Sequence, residues 1–264
     1  MGYALKSPRE YSILKAYIRR STFSRLFGQG DPSFTLVELL VVVAILGLLA
    51  GLLIPATQKA IAAGKTGKAT GNLRQIGILI NAYAPENNNC LPILIDWNPQ
   101  YPWWGVVLSE SLGLSVKEWK ASDPKGLRLA ETFYDPSVAK QKHPCGDFGA
   151  NDAIMLGIGG SGTRNCATVF GHNRGTPISA IGTLSKKVIV TSAIDGQGLN
   201  WKSSWYFHGP EWVAAGPGYT SVKPDPRHGG KTLCLFADGH TELLDTDKMS
   251  AADRRKYFLL PQFE

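Results

Sequence analysis

The chain has 264 residues with 44% hydrophobic and 19% charged content, a composition that excludes disorder and a fibrous repeat and allows one to two domains. Its 29 Gly and 16 Pro disfavour a wholly helical bundle. The net charge of +7 is spread unevenly: six basic and two acidic residues precede Phe34, and from there 22 basic face 19 acidic residues, leaving +3, so no nucleic-acid partner is expected.

The first element predicted along the chain is a membrane helix. Leu39 to Ile54 are all apolar or Gly, and from Phe34 the run FTLVELLVVVAILGLLAGLLI carries Glu38 as its one charge. As a helix it reaches about 32 Å, enough for a bilayer core of about 30 Å. A buried core helix of a soluble domain seldom needs to be apolar on every face. Lys15, Arg19, Arg20 and Arg25 precede the run, which keeps residues 1 to 33 cytoplasmic and places the bulk of the chain outside. A cleaved secretory signal shares this charge pattern, but the run is longer than an ordinary signal core, and Ile54 and Pro55 lead into a helix-like stretch instead of a small-x-small site.

A carboxylate within a membrane helix is costly unless it is paired, protonated or near the interface, so Glu38 is a functional candidate; the alternative is a carboxylate tolerated beside the headgroups. Its context, SFTLVELL, closely resembles the processing motif of type IV prepilins and type II secretion pseudopilins. The resemblance implies cleavage by a prepilin peptidase between Ser33 and Phe34, methylation of the new amino terminus, and removal of residues 1 to 33 as a leader. It further implies that Glu38, fifth from the new terminus, neutralises the amine of a neighbouring subunit as helices stack into a filament, a buried pair that sets register. Pro55 stands where such helices commonly carry a proline and is expected to bend the helix. Ser33 departs from the usual Gly but keeps the small size, so cleavage is still expected.

Beyond Pro55, Ile61, Leu73, Ile76, Ile80 and Tyr83 recur mostly at three- and four-residue intervals, the pattern of an amphipathic helix ending near Ala84 and Pro85. Gly64, Gly67, Gly71 and Gly77 each cost about 1 kcal/mol relative to Ala, so packing must hold this part or it frays between 64 and 71. Unbroken, residues 34 to 84 form a transmembrane and stalk helix about 75 Å long. The wording NLRQIGILINAYAPENN resembles the stalk of G-type pseudopilins.

From residue 85 onward LPILI, WWGVVL, KKVIVTSAI and KTLCLFADGHTELL read as strands and turns of a globular head at residues 85 to 264. Thr232 to Phe236 and His240 to Leu244 flank Ala237, Asp238 and Gly239, a C-terminal hairpin in which Asp-Gly favours positive backbone dihedrals. The expected class is α+β, a long helix on an irregular antiparallel head. His228, Asp238 and Gly239 also lie in RHGGKTLCLFADGHTELL, which resembles a C-terminal element of some bacterial pilin-like proteins, a His and a downstream Asp-Gly separated by nine residues. Two readings stand beside each other: His228 as a base oriented by Asp238 in a hydrolase, or His228 anchoring a loop by a side-chain hydrogen bond. No nucleophile is fixed by spacing, and no enzymatic activity is expected.

Cys90, Cys145, Cys166 and Cys234 all follow the membrane run, so up to two disulfides are open, in three pairings. A zinc site from His143, Cys145, Cys166 and His172 lacks CxxC spacing, and no metal is expected there. Asp195, Asp225, Asp245 and Asp247 leave calcium open without the EF-hand pattern, solvated turn acids being the simpler reading. GIGGSG at 157 to 162 lacks the P-loop lysine and reads as a loop. Trp97, Trp103, Trp104, Trp201, Trp205 and Trp212 form either core or a stacking surface.

The expectation is a structural subunit of a pilus-like or pseudopilus filament: single-pass in a bacterial inner membrane, head in the periplasm, with prepilin peptidase and other pilin-like subunits as partners and no required cofactor. The alternative is a non-polymerising anchored protein whose Trp-rich head captures a glycan or a surface partner.

Overall fold

The computed structural model describes residues 35–92, 94, 104–113, 129–138, 146–155, 175–195, 206–207, 209–218 and 220–260. The chain divides into two compact units, Met1–Thr57 and Gln58–Glu264. The fold is α+β: one long helix apolar enough to span a membrane, and a largely antiparallel sheet.

The helix α1, Leu36–Glu86, runs unbroken through both Pro55 and the glycines between 64 and 71. In the first unit its large apolar side chains are all exposed, from Val42 at 44% to Leu36 at 78%. Pro55 has no N–H to give the Gly51 carbonyl; beside it, the Thr57 hydroxyl donates to the Ile54 carbonyl at 2.8 Å.

In the second unit α1 becomes one-sided. Ala69, Leu73, Ile76, Gly77, Ile80 and Ala84 are buried, a stripe at intervals of three and four that presents a single face to the sheet. Burying Leu73, Ile76 and Ile80 contributes about 1.5–3 kcal/mol each. Of the two alternatives, packing or fraying, fraying is not seen: the helix is continuous through residues 64 to 71, although a Cβ at Gly64, Gly67 or Gly71 would meet nothing within 4 Å. The helix also ends two residues later than expected, at Glu86. Its stop is made by asparagines: Asn88 and Asn89 take positive φ of 57° and 54°, Asn89 N donates to the Ala84 carbonyl at 2.8 Å, and the Asn87 amide caps the Tyr83 carbonyl at 2.8 Å. Asn adopts the left-handed conformation at lower cost than most residues, so an Asn run ends a helix much as Gly does.

The strands are β1 Phe148–Asn151, β2 Val188–Asp195, β3 Tyr206–Phe207, β4 Val222–Pro224, β5 Thr232–Phe236 and β6 Thr241–Leu244. Their order is β3-β1-β2-β5-β6, with β4 paired to the far end of β2; the β1–β3 pair is parallel and the others antiparallel. The central β2 is buried from Val188 through Ala193, Thr191 and Ser192 included, so its sequence shows no alternation of apolar and polar faces. The described head also holds three short α-helices, α2 Trp104–Ser111, α3 Gly209–Ala215 and α4 Ala251–Phe258, and four single-turn 3-10 helices. The α4 helix starts on a Ser250 cap, whose hydroxyl accepts from Asp253 N at 3.0 Å, and places Phe258 edge-on against Trp212 and Phe207.

Two strand expectations are corrected. WWGVVL is the helix α2 from Trp104 onward, buried at Trp104, Gly105, Val106, Leu108 and Ser109; a short apolar run buried nearly all round cannot be told from a core strand by periodicity. LPILI contributes no strand among its described residues: Cys90 makes an isolated bridge to Pro177, and Leu91 and Leu94 enter the core.

The C-terminal hairpin forms as β5 and β6, with Leu235 opposite Thr241. Gly239 N donates to the Phe236 carbonyl and Phe236 N to the His240 carbonyl, both at 2.9 Å. Of the turn residues only Gly239 has positive φ, at 92°, so this is a three-residue loop in which glycine takes the left-handed position and Asp238 does not.

Candidate functional site

Among the described residues two places concentrate polar chemistry, one at the start of α1 and one inside the head. At the first, Thr35 immediately precedes the helix and Glu38 lies in its first turn. The Thr35 amide and hydroxyl donate to Glu38 Oε2 at 2.9 and 2.8 Å, and Glu38 N donates to Thr35 Oγ1 at 3.2 Å. This is a reciprocal capping box, in which a hydroxyl and a carboxylate satisfy the amides that the first turn leaves unpaired. The positive end of the helix dipole favours a carboxylate there as well. Glu38 therefore has a local stabilising role that the sequence reading overlooked, although T-x-x-E ahead of an apolar run is its legible signal. Its bonds to Thr35 run through Oε2. Ser33 and Phe34 lie outside the described residues.

The second place is a buried polar cluster around His228. The His228 and Asp135 side chains are both fully buried, with His228 Nε2 3.1 Å from Asp135 Oδ2. The other ring nitrogen, Nδ1, lies 3.2 Å from the Thr66 hydroxyl of α1. Asp135 Oδ1 accepts from Ser137 N at 2.7 Å, the Asp147 carboxylate accepts from Asp135 N at 3.0 Å, and Arg227 Nη1 lies 3.9 Å from Asp135 Oδ2. Arg227 also donates to the Asp225 carboxylate and the Ala193 carbonyl, both at 2.6 Å. Burial alone raises the Asp135 carboxyl, but the hydrogen bond and charge of His228, the Ser137 amide and Arg227 outweigh it and hold the carboxyl below its ordinary value.

The hydrolase pairing of His228 with Asp238 is not formed. Asp238 Oδ1 instead meets His240 N at 3.1 Å and His240 Nδ1 at 2.5 Å, an Asx-type turn closing the β5–β6 loop. The partner of His228 is Asp135, ninety-three residues earlier in the chain, which no local pattern announces. Thr66 was equally invisible, being one of several small residues on a Gly- and Ala-rich stretch.

Cys90 and Cys234 are buried free thiols, which removes all three two-disulfide pairings. A bridge between Cys145 and Cys166 lies outside the described residues, as do His143, His172, residues 157–162, Trp97, Trp103, Trp201 and Trp205. Burial pushes the Cys234 thiol up to about 12. Trp104 and Trp212 are each 1% exposed and belong to the core, so neither contributes to a stacking surface. Asp225 and Asp245 are paired with Arg227 and Lys248, and among the described residues no three His, Cys, Asp or Glu side chains are grouped to hold a metal ion.

Together these features define an α+β head carried on a helix apolar enough to cross a membrane. No family model matches the chain, and no curated protein or solved structure is similar to it.

Proposed function

We propose that this chain is a pilin-like structural subunit of a type IV pilus or type II secretion pseudopilus. Held by its single span in a bacterial inner membrane with the head in the periplasm, it is cut between Ser33 and Phe34 by a prepilin peptidase and joins other pilin-like subunits through α1. The observation that carries this reading is the pairing of a wholly exposed apolar segment, Leu36 to Ile54, with a single carboxylate at its first turn. Fourteen exposed Leu, Val and Ile side chains in that segment find no cover among the described residues and call for an apolar medium, first lipid and then the helices of neighbouring subunits. Glu38, held at the helix start by Thr35, is the group we assign to receive the liberated amine of an adjacent copy.

The test is disulfide crosslinking of cysteine pairs introduced between residues 40 and 55 in membranes that express the chain. Ladders of multimers are expected. Monomer alone, at every position, contradicts assembly and favours an anchored head that acts singly.

A further inference from the structure

The element His228 to Gly239 touches α1 at both of its ends. At one end His228 Nδ1 meets the Thr66 hydroxyl at 3.2 Å. At the other, Gly239 lies over Gly77 and Asn81: a Cβ on Gly77 would be 3.5 Å from both Gly239 Cα and O, and a Cβ on Gly239 would be 3.0 Å from Asn81 Nδ2. We propose that this element is a two-point clamp that holds the sheet on residues 66 to 81 of α1, and that the nine residues between His228 and Asp238 are a ruler matched to the helix.

The lengths agree from both sides. Thr66 and Gly77 are eleven residues apart, three turns of helix on one face and about 16.5 Å along the axis. The five residues of β5, Thr232–Phe236, cover about 14 Å between their terminal Cα atoms as an extended strand, and the turns at its two ends cover the remainder. Each end of the strand then needs a turn that brings its corner back to the helix. The first turn is made by Gly229 and Gly230, with φ of 66° and 80°, between His228 and Lys231, whose amides and carbonyls are exchanged at 3.1 and 3.3 Å. Two consecutive residues with positive φ make the mirror-image turn that suits a two-residue hairpin, and glycine takes that conformation without strain. This places His228 at the corner, with its ring directed at the helix on one side and at Asp135 on the other. The second turn is closed by Asp238 and Gly239, where glycine is required for φ of 92° and where a Cβ would also crowd the Asn81 side chain at 3.0 Å.

The strand between the two corners supplies the remaining contact. Leu235 directs its Cδ1 at Gly77, whereas Phe236, the next residue, faces the other way and meets Tyr257 of α4 edge-on with ring centroids 6.1 Å apart. One residue more or less in the spacer would exchange these faces and separate one corner from its helix position. The clamp is consistent with the burial of His228, whose ring lies between the Thr66 hydroxyl at Nδ1 and the Asp135 carboxylate 3.1 Å from Nε2. This inference does not depend on polymerisation, and the clamp operates equally in an anchored head.

Amide hydrogen exchange on the full chain in detergent tests it. Thr66→Val removes a hydroxyl from a half-exposed helix position and leaves the sheet intact. It is expected to raise exchange of the amides of residues 66 to 72 about tenfold while β2 and β5 stay protected. His228→Gln is expected to do the same or more, and Thr66→Val added to His228→Gln is expected to produce no further increase, because both remove one bond. Gly239→Ala is expected to loosen residues 77 to 84 selectively. Unchanged helix protection in Thr66→Val, or additive effects in the double variant, would overturn the clamp; should His228→Gln fail to fold, the Thr66→Val result decides alone.

Discussion

Gly77 of α1 and Leu235 of β5 approach so closely that a Cβ on the glycine would stand 2.9 Å from Leu235 Cδ1. This distance separates Gly77 from the other glycines of the same helix. Gly77→Ala gains about 1 kcal/mol of helix propensity but inserts a methyl group into a filled contact, a change that typically costs about 1–3 kcal/mol. Net destabilisation is expected, read as a lowered denaturant midpoint of the full chain in detergent.

The opposite sign is expected at Gly64, Gly67 and Gly71, where a Cβ meets nothing. Each change to Ala is expected to stabilise α1 by up to about 1 kcal/mol, seen as higher helix content at elevated temperature. Destabilisation at any of the three would mean that something outside the described contacts approaches the backbone there.

Asp135 makes head stability fall in acid. Its carboxyl is held below the ordinary value in the folded chain, so the stabilisation is fully present above the unfolded carboxyl value of about 3.9. It is lost as pH falls through the lower folded value. Asp135→Asn is expected to remove this part of the acid slope. At pH 7 it is expected to cost about 1–3 kcal/mol, because the buried His228 ring loses the carboxylate beside its Nε2 while Arg227 keeps Asp225. Denaturant titrations at pH 7 and at about pH 3 measure both effects, and a variant as acid-sensitive as the parent would contradict the assignment.

Cys234 is fully buried with its thiol raised to about 12, and the thiolate is the reactive form. Maleimide at about pH 8 is expected to leave Cys234 unmodified in the folded chain and to label it after denaturation, as read by peptide mass. Rapid native labelling would show that β5 opens.

Glu38 carries two separable roles, and Glu38→Gln separates them. Glutamine still closes a capping box but carries no charge, whereas Glu38→Ala loses both functions. If pairing with an amine drives assembly, both variants are expected to reduce fibre yield by about two orders of magnitude, in line with breaking a buried ion pair. Normal fibres with Gln and none with Ala would assign the effect to the cap.

The long helix and the hairpin were legible in the sequence because their signals are local: an uninterrupted apolar run, a stripe at intervals of three and four, an Asp-Gly turn between two apolar strands. The helix end was misplaced by two residues because Pro85 was weighed above the Asn run that makes the stop. WWGVVL was misread because Trp104 to Ser111 is buried on nearly every side, which erases the period that separates helix from strand. Within the site, His228 stood out by its spacing from Asp238, yet its partners are Thr66 and Asp135, which reach it only through folding. The capping role of Glu38 is legible in T-x-x-E ahead of an apolar run.

The mature amino terminus, read by sequencing and intact mass on protein from its native membrane, tests the proposed function most directly. The expected result is a chain beginning at Phe34 with the mass of one added methyl group. An intact Met1, or a terminus beyond residue 50, would contradict processing and with it the assembly of this chain through α1.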